Sequence, residues 1–210
     1  MRAEPILLLG AGGHARACID VIEREGRFTV EGLIGRPEEV GTRVLGYPVV
    51  GTEADLSALA SERKYALIAV GQLTTPDQRI RLFELARAYE YTLPVIISPH
   101  AHVSRHASLA VGTIVMHGAV VNAGATVGRN CILNSLSLVE HDAVIADHCH
   151  ISTAAAINGS VRVASGTFVG SHSCVRHGIS IGERCVIGMG QRVLADCAPR
   201  TQLPDRDGRA

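Results

Sequence analysis

Among ten histidines, His141 is set apart by its neighbours, with Glu140 before it and Asp142 after it. Imidazole, with an unperturbed pKa of about 6.5, is the side chain suited to removing a proton near neutral pH. An adjacent carboxylate, Asp142 or Glu140, can fix its tautomer and stabilise the imidazolium. A second chemical signal lies near the start, where Gly10-Ala11-Gly12-Gly13-His14 follows the apolar run Ile6 to Leu9. Its amides stand at the expected start of a helix, where phosphate binds. Gly10-x-Gly12-x-x-Ala15 fits the loose dinucleotide pattern, yet the acidic residue expected after the second strand is replaced by Gly35-Arg36. That disfavours a dinucleotide and leaves two readings, the phosphates of another nucleotide or a turn that needs glycine for its backbone alone. Cysteines at 18, 131, 149, 174, 185 and 197 form no CxxC pair. Neither a disulfide framework nor a metal site is expected.

The elements that position these residues follow from a repeat. Stepping by six from Val103 to Val193, sixteen consecutive positions are Val, Leu or Ile without an insertion. If these types fill about a quarter of positions, chance gives roughly 10⁻⁹ to 10⁻¹⁰, and a fixed period of this kind is the signature of a solenoid. Four residues after each aliphatic stands mostly a small one, such as Ala119, Ala125, Cys131 or Ser137, with Val161, Ile179 and Gln191 as exceptions. Alternation along a strand sends both inward. Turns every six residues then make three short strands per coil, a left-handed parallel β-helix of a little over five coils. His141, two places past Val139, falls near a corner. His150 falls between inward positions and points out of the prism. Gly159 lies one coil beyond His141, where a missing side chain leaves room for a ligand. His100, His102, His106, His117, His148, His172 and His177 read as surface residues, and four of the cysteines as buried small hydrophobes.

Before the repeat, Ile6–Leu9, Val30–Ile34, Ala66–Val70 and Leu93–Ile97 read as strands, and residues 15–25, 54–60 and 77–88 as helices. Alternation of β and α points to a small Rossmann-like parallel sheet. The expected organisation is an α/β Rossmann-like domain over residues 1–99, an all-β left-handed helix over 100–198 and a disordered tail over 199–210. Twenty Lys and Arg balance twenty Asp and Glu, which removes any field that would gather nucleic acid. No apolar run reaches the roughly 18 residues of a membrane span, so a cytoplasmic protein without membrane insertion is expected.

The combination of Gly10–His14 with Leu133-Asn134-Ser135-Leu136-Ser137-Leu138-Val139-Glu140-His141-Asp142, His150-Ile151-Ser152-Thr153, Ile157-Asn158-Gly159 and residues 167–171 resembles the bacterial sugar acyltransferases of surface-glycan pathways. That family includes nucleotide-linked amino-sugar N-acetyltransferases and sialic acid O-acetyltransferases. The resemblance implies acetyl-CoA as donor, no metal, a homotrimer, and active sites between neighbouring β-helices. It further implies His141 as general base, Asp142 orienting it and Asn134 beside the acceptor. His150, Gly159 and Ser171 would line the acetyl-CoA site, and Gly10, Gly12, Gly13, His14 and Gly71 the nucleotide-sugar site. Three departures stand out. Gly35-Arg36 replaces acidic residues, Gly71-Gln72-Leu73 replaces Gly-Asn-Asn, and the usual Gly-x-Pro-Ala-Lys tail is missing. The wording around His141 and His150 lies nearer the sialic acid branch, which keeps O-acetylation of a nonulosonic acid as the alternative. A non-catalytic β-helix that binds glycans is the reading from another class.

Overall fold

The computed structural model describes residues 3–204. It divides into two compact units, one of residues 3–71 with Asp77–Ile96, the other of Gln72–Pro76 with residues 97–204.

The first unit is built on β1 (Glu4–Leu9), β2 (Phe28–Ile34), β3 (Arg43–Val44), β4 (Tyr47–Gly51) and β5 (Tyr65–Ile68), in the sheet order β3-β4-β2-β1-β5. All pairings are parallel except β3 with β4. Strand β1, paired on both sides, is apolar on both faces, Ile6 to Leu9 being fully buried, as a sheet covered on both faces requires. Helix α1 (Gly13–Glu25) starts directly after the glycine loop and ends at Gly26, whose left-handed φ of 77° lets its amide reach the carbonyl of Ile22. Its buried face is Ala15, Cys18, Ile19, Val21 and Ile22. Burial pushes the Cys18 thiol up to about 12, so it acts as a core hydrophobe. Helix α2 is one turn, Leu56–Leu59, preceded by a 3₁₀ turn at Glu53–Asp55, and α3 spans Asp77–Ala88. The expected strand at Leu93–Ile97 contracts to Ile96–Ile97 with an isolated bridge at Thr92. Pro94, which has no amide to donate, stands in the middle.

In the second unit two-residue strands stack on three faces. One face carries Val120–Val121, Leu138–Val139, Ala156–Ile157 and Cys174–Val175; the next carries Thr126–Val127, Val144–Ile145 and Arg162–Val163; the third carries Ile132–Leu133, His150–Ile151 and Phe168–Val169. Partners are eighteen residues apart, for example Val139 with Ile157. This is the left-handed parallel β-helix. The second residue of each strand fills the core, and Cys131, Cys149 and Cys185 fill the small inward positions with no exposure. Corners recur at every sixth residue from 112 to 190, each in the left-handed region: six are glycine and eight, including Asn130, Leu136, Asp142 and Ala154, are not. The expected disordered tail is corrected at its start. Gln202–Leu203 pairs in parallel with Val186–Ile187 and Leu203 packs on the core, whereas residues 205–210 lie outside the described residues. His148 is also corrected, being buried with its Nδ1 3.0 Å from Nδ2 of Asn130. Among the described residues no helix is long and apolar enough to cross a membrane.

Candidate active site

The corner after Val139 carries the imidazole. Asp142, at φ 60°, turns its carboxylate back so that Oδ2 lies 2.9 Å from Nδ1 of His141. The carboxylate keeps the ring proton on Nδ1 and leaves Nε2 as the basic nitrogen. Glu140 has other work: its Oε2 accepts from Nδ2 of Asn122 at 2.8 Å and from the His141 amide at 3.3 Å. Both members of the pair are more than half exposed.

Gly159, one coil further, lies beneath the ring. A methyl group built on it would stand 2.6 Å from Nε2 and 2.7 Å from Cε1 of His141, and 3.1 Å from Nδ1 of His177. A side chain at this position would therefore displace the imidazole. His177, another coil on, reaches the same hollow, its ring centroid 6.1 Å from that of His141. His177 is exposed, as expected, but its approach to His141 was missed, although the eighteen-residue spacing of 141, 159 and 177 carried the signal.

His150 does point out of the prism, but Gln72–Pro76 covers it and only 4% of it is exposed. Its Nδ1 donates to the Gln72 carbonyl at 2.6 Å, so Nε2 accepts from Nδ2 of Asn134 at 3.1 Å. The Oδ1 of Asn134 accepts the Ser135 amide at 2.8 Å. The two residues thus meet each other, and the face bearing Leu138–Val139 separates their edge of the prism from that of His141. Ser171 hydrogen-bonds Ser152, Oγ to Oγ, at 3.0 Å. Both hydroxyls line an apolar groove of ≈ 650 Å³ walled by Leu73, Phe168, Met189 and Leu203. An alkyl and amide chain such as pantetheine suits that lining, apolar walls for the methylenes and hydroxyls for the amides.

In the first unit Gly10, Gly12, Gly13, His14 and Gly71 line one pocket of ≈ 270 Å³. Gly10 is obligatory: its φ is 127°, and a Cβ would stand 2.7 Å from the Val70 side chain. Gly12 and Gly13 have nothing within 4 Å of where a Cβ would be, so bare backbone at the start of α1 faces open space. Glu39 and Glu53 also line this pocket and were missed. A 3₁₀ turn at Pro37–Glu39 brings Glu39 back to Arg36, whose amide its Oε2 accepts at 2.8 Å. The Arg36 guanidinium holds the Glu39 carboxyl below the usual carboxylate range, and Arg81 does the same for Glu53. Pro37 at the first turn position was the available signal. Among the described residues no group of three His, Cys, Asp or Glu could hold a metal ion.

Residues 5–84 match the family model of the PglD N-terminal domain. PerB from Caulobacter crescentus, solved in complex with CoA and GDP-perosamine, superposes with a TM-score of 0.89 at 30% identity, over 94% of this chain and 92% of that one. The chain belongs to the bacterial sugar N-acetyltransferase family. Another member, the acetyltransferase domain of PglB from Neisseria gonorrhoeae in complex with acetyl coenzyme A, gives 0.87 at 28% identity over 95% of both chains. The GDP-perosamine N-acetyltransferase of Escherichia coli O157:H7 is 25% identical over 87% of this chain and 82% of its own length. A tetrahydropyridine-dicarboxylate N-succinyltransferase of Methylobacterium is 34% identical, but this family member spans only 40% of that protein.

Proposed function

We propose that the protein transfers the acetyl group of acetyl-CoA to the amino group of a nucleotide-linked amino sugar in surface-glycan synthesis. The observation that carries this reading is the match over nearly the whole chain to an N-acetyltransferase bound to CoA and GDP-perosamine. His141 Nε2 takes the amine proton as the nitrogen attacks, while Asp142 holds Nδ1 and stabilises the imidazolium. Both substrates bound together make a covalent intermediate on the protein unnecessary. The thioester end of the donor supplies the activated acetyl group, with Ser152 and Ser171 lining its groove. Gly10, Gly12, Gly13 and His14 receive the diphosphate through amides at the start of α1, and Glu39 and Glu53 accept ribose hydroxyls.

His141 and Ser171 lie at opposite edges of one prism face, six residues of extended backbone or about 20 Å apart. We therefore read the working site as shared between copies, His141 of one facing the groove of the next in a homotrimer. Met189 in the groove wall and Leu136 at a corner of the coil, 57% and 64% exposed, suit such an interface. Thiol release from acetyl-CoA, measured against a panel of nucleotide-linked amino sugars and free nonulosonic acids, tests the reading. Turnover with an amino sugar is expected. Turnover confined to a nonulosonic acid would replace it with O-acetylation.

A further inference from the structure

We propose that His177 works with His141, taking up through the hollow over Gly159 the proton that an ammonium-bearing acceptor must shed before it can attack. The proposal rests on the reading of the acceptor as an amino sugar.

The chemistry asks for two proton transfers. An alkylammonium and an acetyl thioester give an amide, a thiol and one free proton. The first proton leaves the ammonium and frees the nitrogen lone pair. The C–N bond then forms, the C–S bond breaks with its electron pair passing to sulfur, and the second proton goes by way of His141 to that sulfur. One imidazole with its Nδ1 proton tied to Asp142 carries only one of these at a time.

The geometry supplies a second imidazole. Nε2 of His141 and Nδ1 of His177 stand 2.6 and 3.1 Å from the same point above the Gly159 backbone. The rings are tilted by 45° with centroids 6.1 Å apart, a gap that one water spans. His177 is exposed, so it can return its proton to solvent. The charged neighbours leave it this role: Asp142 is bound to the other nitrogen of His141, Glu140 to Asn122, and Asp196 of the following coil to the Ser180 amide.

The test is the pH profile of kcat/KM for an amino-sugar acceptor that the wild type acetylates. His177→Ala should lose about tenfold near pH 6 and under threefold near pH 9, where the acceptor arrives as free amine. The KM for acetyl-CoA should not move. His177→Gln, which hydrogen-bonds but is not a base, should match His177→Ala, and imidazole in the buffer should restore both. His141→Ala, in contrast, should fail at every pH. A His177→Ala profile parallel to the wild type, at any level, overturns the proposal. Wild-type protein that acetylates no amino sugar overturns the reading of the acceptor and the proton role with it. In that event the Nε2 resonance of His141 still decides the pairing: displacement in His177→Ala supports it, and an unchanged resonance removes it.

Discussion

His141 holds its proton on Nδ1 through a carboxylate placed by a left-handed corner, and its position over the next coil depends on a residue without a side chain. His141→Ala should lower kcat by about 10² to 10⁴ with acetyl-CoA binding intact, and Asp142→Asn should cost less because Nε2 survives. Steady-state kinetics with both substrates varied reads the two effects, and an unchanged kcat in His141→Ala would end its assignment as base. Gly159→Ala should act like a displacement of the ring: its methyl would stand 2.6 Å from Nε2, so kcat should fall while the fold and the acetyl-CoA KM persist. In the first unit Gly12→Val should raise KM for the nucleotide-linked acceptor more than for acetyl-CoA, since it covers backbone that faces the pocket. Equal shifts of the two KM values would reduce the loop to a turn.

The elements are held by corners and inward stacks, and the corners can be tested separately. Ala154 takes the left-handed conformation at φ 54°, which disfavours any residue with a Cβ by about 1–2 kcal/mol. Glycine loses more freedom on folding, by roughly 0.5–1 kcal/mol, so Ala154→Gly should stabilise the protein by up to about 1 kcal/mol. Gly166→Ala should do the reverse, because at φ 72° its methyl would also stand 3.0 Å from Cγ of Pro76. Urea midpoints would compare them, and equal signs would remove the argument. At another corner burial works against the Asp147 carboxylate, but hydrogen bonds from the Arg129 side chain and amide prevail and hold it below the usual range. A depressed carboxyl adds stability at pH 7 that is lost as the pH falls below about 3.8. The Tm difference between wild type and Asp147→Asn should therefore shrink in acid, and a constant difference would deny the ion pair its part. Much of this was legible beforehand. The run from Val103 to Val193 announced the coil because aliphatic burial is periodic, and residues 77–88 announced α3. The corner conformation was not legible at Leu136 or Ala154, where no glycine marks it. Nor was the cover on His150, since Gln72 is far from it in sequence and only the folded chain brings them together.

For the whole molecule, a site shared between copies has a measurable signature. His141→Ala and Ser171→Trp subunits, each inactive alone, should recover activity when unfolded and refolded together. In a randomly mixed ring about one interface in four joins an intact imidazole to an intact groove. No recovery would place the whole site within one chain. The coil itself sets a further constraint. Adjacent strands of one face lie eighteen residues apart while the aliphatic pattern repeats every six, so the chain has something like a reading frame with two periods. A hexad inserted between Asn134 and His141 would keep every aliphatic inside and fold, yet it would carry His141, Gly159 and His177 together onto another edge. An insertion of eighteen would return them to their own. Folding thus tolerates changes of length in sixes, and catalysis only in eighteens. The frame slips near the end, where Gln202–Leu203 pairs with Val186–Ile187 after sixteen residues, beyond His141, Gly159 and His177 but at the wall of the groove that Leu203 helps to form.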